Sequence, residues 1–110
     1  MEESKRRTLS HMLYELKKGV RPLALGAFEP KCAKEFKELL ERKEISYHEE
    51  EISPTRTNIY FGNTTCVEVI RSFEKRMPEF SPEEDFILGT LLGYDARIQS
   101  ERYLERRLSK

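Results

Sequence analysis

The order of apolar patterns along this 110-residue chain predicts one α+β domain. The predicted core is a three-stranded sheet laid down in the order β-α-β-β-α, with an extra N-terminal helix before it and a long C-terminal helix after it. Three observations carry this prediction. The length supports one hydrophobic core and no more. Residues 22–28, 45–52 and 58–62 read as strands set between segments of helical period. Only Ser53-Pro54-Thr55-Arg56-Thr57 separates the second and third strands, so those two should form an antiparallel hairpin. The order matches an incomplete ferredoxin-like unit that lacks its last strand. A right-handed crossover puts strand one parallel to strand two, with strand three antiparallel to both and able to lie between them. One face of the sheet is then expected to take both middle helices.

Each element has a local reason. Leu9, Met12, Leu13, Leu16 and Val20 form one stripe at helical spacing, and Gly19 after Lys17 and Lys18 suits a left-handed stop. Residues 1–5 lack periodicity and are expected to fray. Pro22 to Phe28 is small and apolar on both faces, as in a strand covered from both sides. Pro30 suits the first turn of a helix whose buried stripe is Cys32, Phe36, Leu39 and Leu40. Glu49-Glu50-Glu51 marks the second strand as a solvated edge.

The third helix is expected to open on a capping box, Thr65-Cys66-Val67-Glu68, and to bury Cys66, Val69, Ile70 and Phe73 up to Met77-Pro78. A second box, Ser81-Pro82-Glu83-Glu84, opens the last helix. Continuous to Leu108, that helix would run about 40 Å. Acids at its start and Arg102, Arg106, Arg107 and Lys110 at its end match a helix dipole.

Composition narrows the function classes. Lys and Arg number 20, Asp and Glu 20, and residues 1–55 hold eleven of each sign. No domain-wide basic field exists to attract nucleic acid or anionic lipid. Eleven aromatic residues and regular Leu, Ile and Val spacing lift the chain above the disordered class. No apolar run approaches a membrane span and no signal peptide is evident, which points to the cytoplasm. Two cysteines and two histidines stand in no recognised metal spacing, and no cofactor is implied.

Several places could carry chemistry. At Gly62-Asn63-Thr64-Thr65-Cys66 a strand turns into a helix whose free N–H groups could hold a small anion, and a thiol near the positive dipole end could be reactive. The structural alternative is a turn at Gly62-Asn63, a cap at Thr65 and Cys66 facing inward. Cys32 and Cys66 follow antiparallel strands, so they belong at opposite ends of the sheet, too far apart to bridge. His11 and His48 are the candidates for a neutral-pH acid or base, beside structural or solvated roles.

Gly89, Gly93 and Ala96 space three small residues along the last helix, a strip where another helix can approach closely, within or between chains. Phe86, Ile87, Leu88, Leu91, Leu92 and Tyr94 make the same segment apolar on every side, so it needs more cover than its own chain offers.

The strings HMLYELKKGVRPLAL, NIYFGNTTCVEVI and EDFILGTLLGYDARIQSERYL resemble a small bacterial family known only as a domain of unknown function. The resemblance spans almost the whole chain. It implies an α+β fold of three strands and several helices that dimerises, and brings no activity, cofactor or catalytic residue. The reading that follows is a non-catalytic homodimeric interaction or regulatory module, with an unidentified protein partner as a further option. The alternative is a small-anion-binding or thiol-redox protein using the Gly62–Cys66 helix start. RNA binding is disfavoured by the neutral charge.

Overall fold

The uncharged run Leu23–Phe28 forms β1 in a computed structural model that describes residues 1–109. The hairpin follows as β2, Ser46–Ser53, and β3, Arg56–Gly62. The sheet order is β1-β3-β2, with β3 antiparallel to both neighbours and β2 at an edge. Among the described residues there are five α-helices: α1 (Glu3–Lys18), α2 (Pro30–Arg42), α3 (Thr64–Ser72), α4 (Pro82–Leu91) and α5 (Ala96–Leu108). No helix among the described residues is long and apolar enough to cross a membrane.

The sheet is covered on both faces, and alternation along the strands decides what each face receives. Ala24, Phe28, Ile59 and Phe61 turn to one side and pack with Leu9 of α1 and Ala33, Phe36 and Leu40 of α2. Leu23 and Tyr60 turn to the other, where Val67 and Ile70 of α3 join Phe80 and Leu88 and Leu92 of the α4 segment. The expectation that both middle helices share one face is therefore corrected: α2 and α3 lie on opposite faces. With every inward side chain of β3 buried, one layer of helix could not cover the sheet.

The stretch expected to fray, residues 1–5, contains the start of the first helix. Helix α1 starts at Glu3, Met1 packs against the α1–α2 core, and its ammonium lies 3.7 Å from Glu35. Gly19 ends α1 at φ +77°, as its position suggested, while Val20 beyond it is exposed.

The long C-terminal helix is also corrected. It breaks after Leu91; Gly93 adopts φ +83°, and Asp95 opens α5 by accepting from the Ile98 N–H at 3.0 Å. Helix α5 folds back along α4. Asp85 meets Arg102 and Arg106 at 3.2 and 3.5 Å, and Glu83 meets Arg107 and the Tyr103 hydroxyl, both at 2.9 Å. The opposite charges at the two ends of this segment thus pair side by side across a helical hairpin, which is why they are spaced as one dipole-matched helix would space them.

Candidate functional site

The carboxyl end of β3 meets the entry to β1 and the start of β2, and a cleft of about 810 Å³ opens there. Register brings the pieces together: Gly62 stands opposite Leu23 on one side and Ser46 on the other. Gly62 has φ +140°, and a Cβ there would lie 2.5 Å from the Pro22 carbonyl oxygen. Its role is to let β3 close against the β1 entry, where the Asn63 N–H donates to that same oxygen at 2.9 Å.

Asn63 caps α3. Its Oδ1 accepts from the Cys66 N–H at 3.1 Å, and its carbonyl takes the Val67 N–H. The expected capping box at Thr65 is therefore replaced by an Asn cap two residues earlier, and Thr65 is a solvent-exposed residue inside the first turn. Thr64 Oγ1 and Ser46 Oγ lie 2.6 Å apart, tying α3 to the β2 start.

Of the five residues expected at this junction, Gly62, Asn63 and Thr64 line the cleft. Cys66 instead packs half-buried against the α3–α4 core. Cys32 packs against the α1–α2 core, so the two free thiols sit on opposite faces of the sheet.

Three cations that the sequence did not single out complete the wall: Lys17, Arg21 and Lys43. Arg21 is largely buried; its Nη2 donates to Glu15 at 3.0 Å, while its Nε has no partner. Lys17 and Lys43 stand at the ends of α1 and α2, where a cation also opposes the exposed carbonyls. Lys17 and Arg21 flank the end of α1 while Lys43 comes from the end of α2, and only the fold brings the two together.

A second polar cluster lies on the α3 face of β2. Glu50, expected in a solvated run, is 7% exposed. Its Oε1 accepts from the Tyr60 hydroxyl at 2.6 Å, Asn58 Nδ2 at 3.1 Å and the Met77 N–H at 3.3 Å. Glu50 Oε2 and Asn58 Oδ1 are buried without partners. Burial, with Glu50 beside it, pushes the Tyr60 pKa up. His48 stacks over Tyr60 at 6.1 Å; burial, and then the nearby Arg71 charge, hold its pKa below the usual value. His11 is exposed, 3.8 Å from Glu15. Among the described residues, no three His, Cys, Asp or Glu side chains gather as metal ligands.

The small-residue strip is dispersed by the helix break. Gly89 is buried against α5, where a Cβ would lie 1.6 Å from Gln99 Nε2, so the close contact there is within the chain. Gly93 sits in the hairpin turn and Ala96 is exposed at the first turn of α5. Among the described residues, five of the seven exposed large hydrophobics belong to this hairpin: Ile87, Tyr94, Ile98, Leu104 and Leu108.

A family described as a protein of unknown function, DUF2023, matches residues 7–106 of the chain. No curated protein matches it.

Proposed function

The chain belongs to the DUF2023 family, and we propose that it is a non-catalytic binding module of the cytoplasm, holding a small anionic ligand in the sheet-end cleft. The observation that carries this reading is that Lys17, Arg21 and Lys43 line the same cleft as Asn63 and Thr64 at the start of α3. Asn63 satisfies the Cys66 and Val67 N–H groups, which leaves the N–H groups of Thr64 and Thr65 free for an anion. Native mass spectrometry of freshly purified protein tests it. A retained or exchangeable small acid above the 13.1 kDa chain mass supports the reading. Failure to bind any anion added at millimolar concentration overturns it.

A second reading is favoured by the α4–α5 hairpin, whose exposed apolar side chains suit contact with a second copy of the chain. In that reading the protein is a homodimeric interaction module. Less speaks for the thiol-redox alternative, with Cys66 half-buried on the core side of α3 and Cys32 across the sheet.

A further inference from the structure

We infer that the ligand of the sheet-end cleft is an amphipathic monoanion: one carboxylate on an apolar body. This rests on the cleft being a binding site and adds what it takes. The charge count on the wall sets the valence. Arg21 is already matched by Glu15 at 3.0 Å. Glu44, which also lines the cleft, offsets one lysine. One positive charge of the Lys17 and Lys43 pair is left, enough for a single negative group.

Donors suited to that group stand together at one side. Of the two hydroxyls of Ser46 and Thr64, one proton bridges them at 2.6 Å and the other is free to donate, next to the unsatisfied Thr64 N–H. The rest of the wall is of another kind. Leu13 and Leu16 of α1 and Ile45 before β2 are half-buried and belong to the edge of the α1–α2 core. Tyr14, 56% exposed, stands beyond them. A bare inorganic anion would leave these side chains against water, whereas an apolar body would cover them and gain the hydrophobic term.

Amide-resolved NMR titration of the full chain at fixed ionic strength tests this, with sodium octanoate, sodium acetate, inorganic phosphate and 1-octanol as probes. Octanoate should shift the Leu16, Lys17, Gly62 and Thr64 amides saturably, and bind at least about 10-fold more tightly than any of the other three. Lys17→Met with Lys43→Met should weaken octanoate by a similar factor and leave octanol unchanged. If acetate or phosphate binds as tightly as octanoate, the cleft is an anion site and the amphipathic inference fails. If octanol matches octanoate, charge plays no part and the inference fails again. If none of the four shifts those amides, the binding reading falls with it.

Discussion

Asn63, Thr64 and Thr65 are three successive residues able to cap a helix, and only one of them does. The tie between the Asn63 N–H and the Pro22 carbonyl fixes where β3 stops, and with it which side chain accepts from the Cys66 N–H. Asn63→Ala should therefore cost about 1 kcal/mol, the usual loss for a cap oxygen. Thr65→Ala should leave the denaturation midpoint in place; a reversed order of the two would return the cap to Thr65.

Glu50 is a second residue whose neighbours, not its type, decide its state. It is buried with three neutral donors on one oxygen and none on the other. Glu50→Gln keeps the accepting oxygen and removes a charge from a buried position, so stability at neutral pH should rise by about 1 kcal/mol. A loss of that size in urea unfolding would mean the carboxylate charge is compensated.

His48 sets a pH dependence. Its folded pKa lies below the usual 6.5, so the unfolded chain binds a proton that the folded chain refuses. The contribution is present above 6.5 and lost as pH falls through it toward the lower folded value. Urea unfolding of the wild type should weaken across that window, and His48→Gln should weaken less; identical slopes would exclude His48 as the source.

At the scale of elements, the correct readings were those that local chemistry dictates. Ser81 and Glu84 form the capping box their spacing announced: the Ser81 hydroxyl accepts from the Glu84 N–H at 3.1 Å, and Glu84 accepts from the Ser81 N–H at 2.8 Å. Gly19 and Pro30 punctuate where glycine and proline do so generally. The missed break in the last helix also had a local signal, a Gly-Tyr-Asp string holding a left-handed stop and an N-cap. It was masked because apolar residues continue on all sides through Tyr94. Folding back gives them a surface: Leu88 and Leu92 are buried and Gly89 receives Gln99. Gly93 at φ +83° also lies against Arg21, where a new Cβ would stand 3.2 Å from the arginine's own. Gly93→Ala should cost about 1–2 kcal/mol from the left-handed backbone alone. A thermal midpoint equal to wild type would show that the turn can rearrange.

At the scale of the whole molecule, the cover that the apolar 86–94 segment lacks, which suggested a dimer, is partly met within one chain. Helix α5 covers much of α4, and Lys5 donates to the Ala27 carbonyl at the outer side of β1. What is left exposed is the outer face of the hairpin, with Leu104 and Leu108 at 56% and 82%. Sedimentation equilibrium at micromolar concentration should give about twice the 13.1 kDa chain mass, and Leu104→Glu should return it to the chain mass while the fold is retained by circular dichroism. A wild-type monomer would remove the homodimeric reading and leave the cleft untouched.

Sequence by itself determined the α+β class, the edge position of β2 and the hairpin, because those follow from side-chain period and short connections, and it left β3 able to lie in the middle, where it is found. Only the tertiary structure decided that α2 and α3 take opposite faces, that the C-terminal arginines pair with Asp85 and Glu83, and that Lys17, Arg21 and Lys43 share one cleft with Thr64. The physical reason is range. A period is settled within about four residues, whereas a face to be covered, a charge to be matched or the choice between neighbouring caps such as Asn63 and Thr65 is settled by whichever distant segment arrives there.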